Sequence, residues 1–510
     1  MFTNIIDTLF IYAISIPVAG YLCKKLFKKD DIERIVTGLL TLIGIGLAFF
    51  YLYAMYRHLQ GLPLMIHVEH LLEVSPPVAS CLEIDFLGLF VAGTALTLSL
   101  FVALYSIQYV KEYENPTAYF TLLTLMVTGI IGAVFAGDLF TLFVFWELMS
   151  LSAYFLVAFK KHTWEAIEAS FKYLVMCAAG NLTALYGISL LYGVTGTLNI
   201  AGVIYTLKNT ALTPVLLLAL IMIVIGFGVE GSIVPLHTWL PDAHPAAPSS
   251  ISAMLSGIVI ETGGYVLIRM LTYVFDPTIY HWQMIMLFLA IITMTTGNIM
   301  ALRQEDVKRL LAYSSVAQMG YIYFGLSTLT GTGLAGSLFH IFNHAMGKGL
   351  AFLAVGILIA LAGTRNIDEL SGIGRKYKFI GVPLTIAILS LCGTPPLSGF
   401  WSELFIIIGA VEAKTTPFII GALIMLFNVV LSIGYYMFVV FKKLIWNPYS
   451  PTVEKVTERT PVLMTISVWA LALIIVIVGI YPKIVLDIVK LAVPTSERIA
   501  EYIAAILGSS

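Results

Sequence analysis

Asp138-Leu139-Phe140-Thr141-Leu142-Phe143-Val144-Phe145-Trp146-Glu147-Leu148-Met149-Ser150-Leu151-Ser152-Ala153-Tyr154-Phe155-Leu156 decides the fold class. Between Asp138 and Lys160 the only charged residue is Glu147. The run is long enough to cross a bilayer as a helix, and Glu147 falls near its middle. A carboxylate at that depth costs at least ~2.5 kcal/mol and persists mainly where it faces protein or water. Glu147 is not isolated, because Glu230, Glu261, His340, His344, Lys348 and Glu403 also lie in or beside apolar segments. A row of titratable groups through such segments points to an ion path.

Composition agrees with a membrane setting. The chain is 59% hydrophobic and 11% charged, against about 25% charged residues in a typical soluble domain. Many apolar runs exceed about 18 residues, the length of a helix rather than of a barrel strand. A helix also satisfies its backbone polar groups within one segment. A net charge of -1 gives no reason to expect nucleic acid as a partner. Cys23, Cys81, Cys177 and Cys392 are far apart and form no CxxC pair. Neither a resident metal nor a redox cofactor is therefore expected, and no residue is assigned a catalytic role. The first apolar run has no basic residue before it and lysines from Lys24 after it, the pattern of an uncleaved anchor.

Hydropathy predicts an all-α polytopic membrane protein with fourteen spans, at 4–23, 35–57, 85–107, 118–136, 139–158, 167–193, 212–234, 248–274, 279–301, 307–327, 334–361, 380–411, 416–441 and 462–481. Residues 63–84, with Pro76 and Pro77, read as a long loop, and 482–510 as a surface-lying amphipathic tail. Of the 28 Lys and Arg residues, nineteen fall in loops after odd-numbered spans and six on the opposite side. The positive-inside rule then places both termini on the non-cytoplasmic side of the cell membrane.

Two spans carry helix-breaking proline. Span seven runs into Pro235 and Pro241, and span twelve contains Pro395 and Pro396. Five spans separate the breaks, which pairs spans 4–8 with 9–13 as an inverted repeat and points to a transporter-like ion path. The domains expected are 1–110 (spans 1–3), 111–275 (the first repeat), 276–445 (the second repeat) and 446–510 (span 14 and tail). His340, His344 and Lys348 recur at i, i+4 and i+8, along roughly 12 Å of one helix face, and histidine titrates near neutral pH. Gly331 to Gly336 matches GxGxxG but follows no strand, so a dinucleotide site is not expected. Asp242 and His244 lie in a Pro-rich segment that suggests a loop-stabilising role.

The stretch Pro235-Leu236-His237-Thr238-Trp239-Leu240-Pro241-Asp242-Ala243-His244 resembles a signature of the antiporter-like subunits of respiratory complex I and of Mrp-type cation/proton antiporters. Lys308 through Tyr321, His340 through Gly349, and Pro395 through Phe400 are similar to the same family. The resemblance covers roughly 85–440. It implies fourteen helices with the inverted repeat, and a subunit that moves H+ or Na+ within a larger membrane complex whose redox arm lies in partner subunits. Membrane-bound hydrogenase-type and sulfur-reducing complexes contain such subunits. It also implies that Glu147 is the essential span-five glutamate, and that His340, His344 and Lys348 form the span-eleven relay. Glu230 and Glu261 stand where the family usually has lysine, while Glu403 is lysine in some members and glutamate in others.

Two carboxylates in place of lysines invert the local charge. Glu147 and Glu230 should repel or hold a cation between them, so a transient Na+ at this pair is one expectation and shared protons are another. Two further possibilities remain: a structural subunit with a non-conducting path, and a stand-alone secondary antiporter.

Overall fold

A computed structural model describes residues 5–27, 30–62, 65–70 and 81–507. These residues are predominantly helical. Eleven of the helices are long and apolar enough to cross a membrane. The protein is an integral membrane protein.

The helices start where the sequence supplies caps. Asp138 accepts from the backbone N–H groups of Phe140 and Thr141 and opens Leu139–Val157. Asp306 accepts from those of Lys308 and Arg309 and opens Val307–Thr328. Helices at the rim turn apolar side chains outward, among them Phe50, Phe171, Leu182 and Leu423, as a lipid-facing surface requires. The interior includes Ser249–Val274, which is buried throughout, Val307–Thr328 and Gly331–Ala362. These three carry Glu261, Gln318, and the His340, His344 and Lys348 series. The GxGxxG stretch forms the first turns of Gly331–Ala362.

Helix Pro214–Glu230 stops at Glu230, and a helix resumes only at Leu240. Lys378–Leu391 stops ahead of Pro395 and Pro396, and Ser398–Glu412 follows. The carbonyls freed at the first stop find donors: Trp239 Nε1 bonds Val229 O at 2.8 Å and the Tyr323 hydroxyl bonds Gly231 O at 2.6 Å. That protein-internal satisfaction lets a broken helix persist in an apolar body.

Two segments differ from their expected form. Within 63–84, His67–His70 pairs antiparallel with Cys81–Ile84. The second strand is held by tertiary contacts that hydropathy cannot register: Gly137 N–H bonds Cys81 O at 3.0 Å and Cys81 N–H bonds Asp138 Oδ2 at 3.2 Å. Pro76 and Pro77 lie outside the described residues. The tail forms two helices, Lys483–Ala492 and Ser496–Leu507, with Pro494 between them.

Candidate functional site

The first broken helix delivers Glu230 to the interior at its own C-terminus. Glu230 is fully buried. Its Oε1 accepts from the Tyr173 hydroxyl at 2.7 Å and its Oε2 from Ser150 Oγ at 2.9 Å. Tyr173 is fixed by stacking on Trp239, with ring centroids 4.0 Å apart and planes 6° from parallel. Ser150 lies one turn beyond Glu147 on the same helix, so Glu147 and Glu230 neighbour one another. Glu147 is partly exposed and contacts the side chain of Asn181. Asn181 Oδ1 in turn accepts from Trp146 Nε1 at 2.9 Å. The two carboxylates lie within electrostatic reach of one another, as expected, and two hydroxyl donors stabilise charge on Glu230.

Glu261 comes next to this pair because two glycines permit it. A Cβ on Gly263 would stand 2.7 Å from the backbone of Gly231, the residue after Glu230. The helix of Glu261 therefore touches the broken helix backbone to backbone. Gly263→Ala should push them apart at a cost of about 1–3 kcal/mol, read as a lowered midpoint in thermal unfolding of the detergent-solubilised protein. An unchanged midpoint would show that this crossing can relax freely.

Glu261 and His344 form a wholly buried pair through Oε1 and Nδ1. Each keeps one polar atom without a hydrogen-bond partner among the described residues, Oε2 on the acid and Nε2 on the ring. The His340 ring lies nearly parallel to that of His344 at 6.4 Å. Its nitrogens meet Ser402 Oγ at 2.9 Å and Gln318 Oε1 at 2.7 Å. Ser402 is the neighbour of Glu403, whose buried carboxylate lies against Gly393 in the second break. Glu403 has no hydrogen bond to another described residue. Lys348 is bonded to no carboxylate among the described residues. Its ammonium donates to Leu311 O at 2.8 Å, to the Tyr436 hydroxyl at 3.0 Å and to Ser314 Oγ. The face it shares with the two histidines turns, one helical turn on, towards carbonyl and hydroxyl acceptors rather than a carboxylate.

Sequence reasoning missed two members of the cluster. His244 is fully buried and stacks on Phe352 at 4.7 Å, and neither ring nitrogen has a hydrogen-bond partner among the described residues. That is not how a loop-stabilising histidine sits. Lys308 is also buried, donating to Ala247 O at 2.6 Å, and lies within electrostatic reach of His244, as Lys348 does. Asp242, by contrast, is a surface group paired with Lys172 at 3.2 Å and Arg309 at 3.4 Å. The sequence carries no signal for this: the inward packing of the short helix Leu240–Ala246 is what buries the histidine.

The arrangement comprises two broken helices, each flanked by a buried glutamate, joined by a histidine–glutamate pair on the central helices. That architecture defines an antiporter-like membrane subunit. The chain belongs to the family described as "NADH:quinone oxidoreductase/Mrp antiporter, TM", which matches residues 136–432. It is 30% identical over 442 residues to NADH-quinone oxidoreductase subunit N of Desulforudis audaxviator, covering 82% of this chain and 86% of the relative. A chain of the membrane-bound sulfane sulfur reductase, an archaeal respiratory membrane complex, superposes with a TM-score of 0.85 at 28% identity, covering 98% of both chains. A chain of the Mrp complex from Dietzia sp. DQ12-45-1b superposes with a TM-score of 0.86 at 21% identity, covering 99% of both, a likeness of fold.

Proposed function

We propose that this chain is a proton-translocating subunit of a multisubunit, redox-driven membrane complex or Mrp-type antiporter. The supporting observation is the contact of Glu261 with His344, which ties the helix packed on the stop after Glu230 to the helix of His340, His344 and Lys348. Protons suit the contacts along the row. Glu230 has both oxygens engaged by O–H donors, and Ser402, Gln318 and Tyr436 supply further exchangeable or bridging groups. A Na+ ion needs several free oxygens around it, and Glu230 offers two that are already occupied. Electron transfer falls, in this reading, to the redox arm of the complex.

Fourteen crossings result when the buried Val307–Thr328 helix and the two broken helices join the eleven long apolar ones. An inverted repeat over spans 4–8 and 9–13 accounts for the paired breaks. Lysine and arginine placement puts both termini outside the cytoplasm, so Lys308 lies towards the cytoplasm.

The test is translocation by the reconstituted complex, with and without Na+, for wild type and Glu230→Gln. Equal rates with and without Na+ are expected, with Glu230→Gln lowering them by about tenfold or more, the scale of a lost proton-transfer group. Strict Na+ dependence would overturn the proton assignment. Wild-type rates in Glu230→Gln would remove Glu230 from the path.

A further inference from the structure

A second ladder leaves Glu261 in the direction opposite to Lys308. Glu261, Tyr265 and Arg269 recur at i, i+4 and i+8 on the buried Ser249–Val274 helix, over roughly 12 Å. Lys308 packs at the start of that helix, beside Ala247, so the ladder runs to the other face. The Tyr265 hydroxyl donates to Val134 O at 2.5 Å and accepts from Arg269 Nη1 at 2.8 Å. Arg269 is 1% exposed and pairs with Asp85, with Nη2 3.2 Å from Oδ2. Its Nε has no hydrogen-bond partner among the described residues. Asp85 Oδ1 also caps Phe86–Tyr109 by accepting from Gly88 N–H at 2.7 Å.

Beside this pair a second acid is buried. Glu83 accepts from Asn199 Nδ2 at 3.0 Å and from the Tyr502 hydroxyl. Tyr502 is the one buried residue of Ser496–Leu507. Its ring lies 5.4 Å from that of Tyr273 and 5.7 Å from the Arg269 guanidinium. A cavity of about 30 Å3, space for about one water, adjoins Asp85 between Tyr273, Arg498, Glu501 and Tyr502.

Helix capping and anchoring of the arginine account for Asp85. They do not account for Glu83, because two carboxylates against one guanidinium leave a buried charge uncompensated, which is costly unless a proton occupies it. Burial pushes the Glu83 carboxyl up to about 7, where it exchanges a proton near neutral pH.

We propose that Glu261, Tyr265, Asp85 and Glu83 form an outlet from the centre of the row to the face opposite Lys308, closed by the hydroxyl of Tyr502. Arg269 is a positioning residue that holds Asp85 and the Tyr265 hydroxyl. A proton reaching Glu83 leaves when its O–H bond breaks and the Tyr502 hydroxyl oxygen takes the proton while releasing its own to water in the cavity that Tyr502 lines. This outlet rests on the ion-path reading given under the proposed function.

Cys81 supplies a built-in reporter, since its Sγ is 3.7 Å from Glu83 Oε1 and it is buried. In the intact complex in proteoliposomes, Glu83→Gln should lower translocation about tenfold. Tyr502→Ala should admit a membrane-impermeant thiol reagent to Cys81 and raise the passive proton leak. Glu261→Gln separates the two claims. If it blocks translocation while Glu83→Gln runs at the wild-type rate and Tyr502→Ala neither labels nor leaks, the outlet is overturned and the ion path stands. If Glu261→Gln itself runs at the wild-type rate, the path fails and the outlet with it. Should Glu83→Gln not assemble, labelling and leak in Tyr502→Ala decide: both present supports the outlet, both absent overturns it.

Discussion

Glu261→Gln is expected to cut translocation by the assembled complex about a hundredfold, within the range seen when a positioned proton-transfer group is removed, while the subunit still folds. Glutamine keeps the volume of the side chain and can still bond His344 Nδ1, so the packing around Gly263 and Gly231 survives. The acid itself is lost. Glu261 is a buried carboxylate in direct contact with the histidine series, on a helix packed backbone to backbone against the stop after Glu230. Rates of pH change in proteoliposomes measure the effect, and co-purification of the complex shows that assembly is intact. Glu261→Asp is the companion variant. It keeps the acid but draws it back by one methylene from His344, so an intermediate rate is expected. A wild-type rate in Glu261→Gln would mean that protons bypass the centre of the molecule.

The charged part of this site was legible because lone ionisable residues in apolar runs are costly and therefore conspicuous. Glu147, Glu230 and Glu261 stand out on that ground, His340, His344 and Lys348 by their four-residue period, and the breaks by their prolines. The uncharged part was not legible. Ser150, Tyr173, Gln318, Tyr323 and Tyr436 are ordinary constituents of apolar helices, and each reaches a functional group far away in the chain, as Tyr436 reaches Lys348. His244 and Lys308 were hidden for a different reason. Chain position placed both beside loops, and only the inward packing of the short Leu240–Ala246 helix shows that they are buried. The same limit applied to the hairpin strand Cys81–Ile84, whose partners come from the Gly137 corner and the C-terminal helix.

Lys348→Ala carries the second large effect, on stability and translocation together. The ammonium is wholly buried and uses all three donors on Leu311 O, Ser314 Oγ and the Tyr436 hydroxyl. Among the described residues no carboxylate bonds it, so dipoles replace its hydration, an arrangement that packing would not require. Alanine removes four methylenes from a dense interior and strands those acceptors, and a loss of about 3 kcal/mol is expected from the cavity and the unmet hydrogen bonds. Lys348→Met separates the two consequences. Methionine refills most of the space and recovers part of the stability, but it supplies no proton and no charge between His344 and His244. Thermal unfolding of the solubilised protein should therefore rank wild type above Met and Met above Ala. Translocation should fall in both variants by about tenfold or more. Recovery of translocation in Lys348→Met would mean that the lysine is filler in the interior, and would end the path at His344.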